Sequence, residues 1–201
     1  MMANFKTHLN VAALVSSVAA LVVSVENLLF APLLVLSGTI GGILPDLDSD
    51  NSTPVKILFL LFSIIVAIAL FMMFFEEGMV QAILYAFTGL VTVNFVLKPI
   101  FLKMTTHRGI FHSIPMGVLC GIGVYYIFDT RLSYEESLYL GAFLTGGYLV
   151  HLALDEFYSV DFMGVKVKSS FSSALKLFDS KQIFLYIVMY IVIAILLVHT
   201  L

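Results

Sequence analysis

The sequence has no tryptophan, one cysteine and few charges, with Asp, Glu, Lys and Arg making up 11% of its residues. Soluble domains carry roughly 25% charged residues, so this composition excludes an ordinary water-soluble domain. A lone Cys120 can build neither a disulfide framework nor a cysteine-based zinc site. It lies in an apolar run and reads as a small core residue. A formal net charge of −3 gives no electrostatic basis for direct nucleic-acid binding. The sequence has no Gly-x-Ser-x-Gly elbow, so a serine hydrolase has little support. Neither an internal repeat nor a low-complexity segment is present.

What the chain does have is apolar surface: 61% of its 201 residues are hydrophobic and its mean hydropathy is +1.07. A transmembrane helix needs about 20 mostly apolar residues. Seven stretches can be drawn, at roughly 9–25, 28–44, 55–75, 79–98, 110–128, 137–157 and 183–201. They predict an all-α, polytopic transmembrane bundle of about seven spans, forming one integral-membrane domain over residues 1–201. The first two are joined by only Glu26 and Asn27 and read as a tight helical hairpin. Val25, Glu26 and Asn27 do not make a small-residue cleavage site, so the first stretch is expected to be a retained span. Gly38, Gly41 and Gly42 in the second stretch, and Gly141, Gly146 and Gly147 in the sixth, would let membrane helices approach closely.

If each stretch crosses once, one side holds Lys6, Lys56, Lys98, Lys103, Arg108, Lys166, Lys168, Lys176 and Lys181. The other side holds only Arg131 among acidic residues. Nine basic residues against one place the first side, with the N-terminus, in the cytoplasm. The segment "FYSVDFMGVKVKSSFSSALKLFDSKQ" interleaves apolar side chains with lysines and suits the headgroup zone of anionic lipid.

The unusual polar residues map onto the same predicted face. His8 opens the first stretch. "LPDLDSDNS" carries Asp46, Asp48 and Asp50. "HRGIFHS" carries His107, Arg108 and His112, and "HLALDE" carries His151, Asp155 and Glu156. Each group has a plain reading as a helix start, a solvated turn or a basic anchor. The acidic turn is not a calcium loop, because Asn51 stands where such a loop needs glycine and Ile57 where it needs a bidentate glutamate. His151 and Asp155 are four apart and share one helix face. That spacing suits two ligands of one metal, or a histidine oriented by a carboxylate. His107 and His112 would diverge by about 140° on an ideal helix, so a turn entering a helix is expected there. Imidazole and carboxylate together suit zinc and related divalent metals, and ionisable groups at a membrane edge are costly and usually functional. Four histidines and several aspartates could supply more than one metal. Arg108 could hold a phosphate in bidentate fashion. His199, at the far end of the last span, is left out.

These motifs, with "TH" at 7–8, resemble a family of membrane-bound metal-dependent hydrolases of the bacterial inner membrane, also described as LexA-regulated or LexA-binding. The resemblance covers nearly the whole chain. It implies metal-dependent hydrolysis in a multi-pass inner-membrane protein, with a link to the DNA-damage response through LexA, as regulator or as partner. The order of motifs is also distantly similar to the zinc-dependent phospholipase C superfamily. That likeness implies metal-ligand roles for His8, Asp46 or Asp48, His107 or His112, His151 and Asp155. The absence of the N-terminal tryptophan of the soluble phospholipases departs from the pattern of a three-metal cluster.

The expectation is therefore one to three divalent ions, zinc first and manganese second. The expected substrate is a phosphoester in a membrane lipid or lipid-linked molecule. Asp46 or Asp48 would bridge metals or act as base, and Arg108 would steady the phosphate. Two other readings are a divalent-cation or small-solute transporter and a non-catalytic membrane protein that binds a regulator such as LexA. Transport is disfavoured because transporters keep their polar groups near the bilayer midplane, whereas these lie at span ends.

Overall fold

The structure is a computed structural model, and it describes residues 5–23, 29–48, 53–104, 109–161, 166–167 and 175–200. The helices in chain order are α1 (Phe5–Val23), α2 (Ala31–Gly41), α3 (Thr53–Met73), α4 (Met79–Thr92), α5 (Lys98–Met104), α6 (Ile114–Asp129), α7 (Tyr134–Ser159) and α8 (Ile183–Thr200). Each predicted apolar stretch contains a helix, as an all-α membrane bundle requires. Five are long and apolar enough to cross a bilayer, by length and composition: Phe5–Val23, Thr53–Met73, Met79–Lys103, Tyr134–Tyr158 and Ser180–His199. The other two, Ala31–Gly41 and Ile114–Asp129, are shorter. At 1.5 Å per residue the first of these reaches about 16 Å, about half of a hydrocarbon core.

The chain divides into two compact units, residues 1–45 with 108–201, and residues 46–107. In the first unit α7 is the central helix. Of its span 44% is buried, against 17–22% for the other four long helices. It packs against α1, α2 and α6, and α6 packs against α8. Small residues explain the closeness. A Cβ at Gly147 would overlap the Gly38 carbonyl, and one at Gly41 would overlap the Leu144 carbonyl, so α2 and α7 touch backbone to backbone. Gly141 meets the α6 backbone at Gly121, while Gly146 faces open space. Ala20, Phe30, Leu34 and Leu140 fill one core of this unit, and Tyr186, Met189 and Ile193 anchor a second.

Ser113 starts α6. Its backbone is extended, its Oγ accepts from the Met116 amide at 3.4 Å, and Pro115 follows in the first turn, where a missing N–H costs nothing. Between α7 and α8 the chain forms a short antiparallel pair, Val160–Asp161 with Lys166–Val167. It then runs past α6, where the Ile114 amide donates to the Lys176 carbonyl at 2.9 Å.

The second unit is a helical hairpin of α3 and α4, with α5 continuing from α4. Val55, Phe59 and Val93 form its core. Gly78, at φ 127°, turns the chain into α4, a conformation that favours glycine. Residues Val93–Leu97 widen to a π-turn. Pro99 has no N–H to give the carbonyl four residues back, and ladders commonly rearrange beside such a proline. Asn94 Nδ2 donates to the Leu90 carbonyl at 2.9 Å, beside the Val93 amide.

Candidate metal centre

The first unit gathers four predicted site residues from three places in the chain. His8 lies in the first turns of α1. His112 lies in the turn that precedes α6. His151 and Asp155 lie one turn apart on the inner face of α7, as their i, i+4 spacing requires. All four are shut away from solvent: His8 is 2% exposed, His112 0%, His151 0% and Asp155 3%.

Asp155 is the hub. Its Oδ1 lies 3.2 Å from His8 Nε2, and its Oδ2 lies 3.5 Å from His112 Nε2 and 3.9 Å from His151 Nε2. The His8 and His151 rings stack, with centroids 3.7 Å apart and planes 14° from parallel. The His112 ring meets His151 edge-on at 5.7 Å and 71°. A buried carboxylate among neutral groups is costly unless it is paired and hydrogen-bonded. His8 Nε2 lies within hydrogen-bond reach of it, and the His112 and His151 rings crowd its other oxygen.

The tautomer of His151 is set by its backbone partner. His151 Nδ1 lies 2.8 Å from the Gly42 carbonyl, which can only accept. Nδ1 therefore carries the proton, and Nε2 presents its lone pair toward the cluster. Fixing a ligand ring through its other nitrogen is how metal-binding histidines are usually oriented. His8 is complementary. Its Nε2 faces the carboxylate, while its buried Nδ1 has no hydrogen-bond partner among the described residues. A buried lone pair of this kind calls for a cation or a water.

The donor set fits a divalent metal. One ligand atom from each of His8, His151 and Asp155 can be chosen so that all lie within 4.8 Å of one another. Ligands about 2.0–2.1 Å from a tetrahedral zinc stand about 3.4 Å apart. The separations of His112 Nε2 and His151 Nε2 from Asp155 Oδ2, 3.5 and 3.9 Å, are close to that value. Two or three imidazoles with one carboxylate is a borderline-soft set that suits zinc.

Asp46 and Asp48 lie in the single turn Leu44–Asp48, at the start of the second unit. Asp46 is half-buried. The side chain of Asp48, and residues His107 and Arg108, lie outside the described residues, as do Asp50, Asn51, Glu26 and Asn27. His199 is in the last turn of α8, far along the chain from the cluster. Two features of the centre are not among the residues singled out from the sequence. The Gly42 carbonyl carries no side-chain signature. Tyr148 could have been found by spacing, since it lies three residues before His151 on the same face of α7.

Fold and site together define a polytopic helical membrane protein with a buried histidine–aspartate cluster. More particularly, the chain belongs to the YdjM inner membrane protein family, whose model matches residues 2–200. The inner-membrane family that the motifs resemble is thereby shown, and the family description names a membrane and no reaction. Compared with curated proteins and with solved structures, the chain matches none of either.

Proposed function

We propose that this protein is a membrane-embedded, metal-dependent hydrolase of a phosphoester in a lipid or lipid-linked substrate. The observation that carries the reading is the fully buried cluster of His8, His112, His151 and Asp155. Its donors are spaced for one divalent ion, and one of its rings is fixed in the ligand tautomer. His8, His151 and Asp155 would hold the ion, with His112 completing the cluster from the opposite carboxylate oxygen. When bound, zinc or manganese polarises a phosphoryl oxygen and brings the pKa of a bound water toward about 7.

The remaining steps belong to side chains. Asp155 supplies the negative charge that retains the cation and keeps the three rings turned inward. Gly42 holds His151 in register. Asp46 or Asp48 would take the proton from the attacking water or bridge a further ion, and Arg108 would bind the phosphate oxygens. The helices around the cluster exclude bulk water, which strengthens each electrostatic contact. His8 is near the start of α1, and Asp155 is one turn from the end of α7. A site at helix ends suits a substrate whose phosphate stays at headgroup level, and it argues against transport through the midplane.

The test is metal content. The full chain, purified in detergent without added metal, is compared by elemental analysis with His151→Ala and Asp155→Ala. One to three equivalents of zinc or manganese, lost in both variants, support the reading and justify assaying phospholipids and phosphorylated lipid carriers. If the wild-type chain carries no metal and takes up none on titration, the cluster is a structural hydrogen-bond network and the proposal fails.

A further inference from the structure

His112 differs from the other members of the cluster in having no helix of its own to hold it. It sits in the turn Gly109–Ser113, yet it is completely buried and reaches Asp155. Two bonds of that turn are local: the His112 amide donates to the Gly109 carbonyl at 3.1 Å, and Ser113 Oγ donates to the Ile110 carbonyl at 2.6 Å. A third, from the Ile114 amide to Lys176, ties the turn to the segment before α8. None of the three reaches α7, which carries the carboxylate.

A side chain of α7 reaches the backbone of the turn. Tyr148 is fully buried on α7, and its hydroxyl donates to the Phe111 carbonyl, in the peptide that joins Phe111 to His112. Its ring is seated against α6, where a Cβ at Gly117 would come within 2.8 Å of the ring's Cδ1. Tyr148, His151 and Asp155 follow at intervals of three and four and so share one face of α7. The helix that carries the carboxylate therefore also carries the strut for the third imidazole.

We infer that Tyr148 is a positioning residue: its hydroxyl, bound to the Phe111 carbonyl, holds His112 against Asp155. Its consequence for metal affinity rests on the metal reading above. Its consequence for the place of His112 does not. Tyr148→Phe removes the hydroxyl and keeps the ring. Tyr126→Phe is the control, because the Tyr126 hydroxyl makes the same kind of bond, to the Leu196 carbonyl at 2.6 Å, away from the cluster.

Two readouts on the full chain in detergent separate the claims. The first is the rate at which diethyl pyrocarbonate labels His112 in the chelator-treated protein, mapped by mass spectrometry with His199 as internal reference. Tyr148→Phe is expected to raise it about tenfold, the effect of losing one hydrogen bond of ordinary strength. Tyr126→Phe should leave it unchanged. The second is zinc titration, where Tyr148→Phe is expected to weaken binding about 10–100-fold, as loss of a supporting hydrogen bond does at other metal sites. Unchanged His112 labelling in Tyr148→Phe overturns the inference. A wild-type chain that takes up no zinc, with His112 still unmasked by Tyr148→Phe, overturns the metal reading and keeps Tyr148 as the strut. Amide exchange on the wild-type chain guards against a variant that fails to fold. Residues 109–113 should exchange as slowly as the first turn of α6, and fast exchange there overturns the inference.

Discussion

His151 and Asp155 show how much one residue's environment adds to its spacing. An i, i+4 pair on a helix is ordinary, and in water it contributes a few tenths of a kcal/mol. Here the pair is buried, and two histidines from other parts of the chain close on the same carboxylate. Asp155→Asn keeps the shape and removes the charge. It should abolish retained metal in elemental analysis, while His199→Ala should leave metal content at the wild-type level. Asp179 makes a residue-scale prediction outside the membrane-spanning segments. It accepts from the Lys181 amide at 3.0 Å and from the Lys176 ammonium at 3.1 Å. Those two partners, the amide first, hold its carboxyl below the usual carboxylate range. A carboxyl whose pKa is lowered on folding stabilises the fold above its unfolded value of about 3.9 and loses that effect as the pH falls through the lower folded value. Hydrogen exchange at the Lys181 amide should therefore accelerate below that range, and Asp179→Asn should show the fast rate already at neutral pH.

At the scale of elements, α2 and α7 are fitted to each other by glycine. Gly147→Val would drive a side chain into the α2 backbone at Gly38. Overpacking of this kind costs about 1–3 kcal/mol, so the midpoint of unfolding in a detergent–denaturant titration should fall. Gly146 is the neighbouring control. It faces open space in a regular helix, and Gly146→Ala should be neutral or stabilise by up to about 1 kcal/mol. The same close approach matters to the site. Gly42 follows α2 directly and its carbonyl holds His151, so a shift of α2 along α7 would also release the His151 tautomer. Gly147→Val is expected to lower zinc affinity together with stability, and titration of the folded fraction would show it.

For the whole molecule, the decisive quantity is which side of the membrane the cluster faces. If all seven apolar stretches cross, as the sequence reading supposes, lysine and arginine put Lys6 on the cytoplasmic side and Glu135, in the first turn of α7, outside. With Cys120 replaced by Ala, single cysteines at Lys6 and Glu135 should react from opposite sides with a membrane-impermeant maleimide in oriented vesicles. Labelling of both from one side would overturn the orientation, and with it substrate access from the cytoplasmic leaflet. The length of α2 bears on this count. At 11 residues it has about half the length that a crossing needs, and if it does not cross, the charge count changes. It is buried against α7, and the five longer helices carry the membrane-spanning length.

The sequence by itself determined the material of this protein: long apolar helices, because hydropathy and length leave no other way to satisfy the backbone in lipid. It also marked the residues worth watching, because His8, His112, His151 and Asp155 are ionisable groups bordering apolar runs, where they are expensive. The i, i+4 pair was legible because helix periodicity is local. Whether the four meet was not, since three separate parts of the chain must first pack, and no spacing in the sequence measures that. Only the tertiary structure decided that Asp155 is the hub, that the Gly42 carbonyl selects the His151 tautomer, and that Tyr148 reaches the turn of His112. The physical reason is the same in each case. A hydrogen bond across more than a hundred residues, as from His151 to Gly42, depends on how closely two backbones approach, and glycines at the contact set that distance.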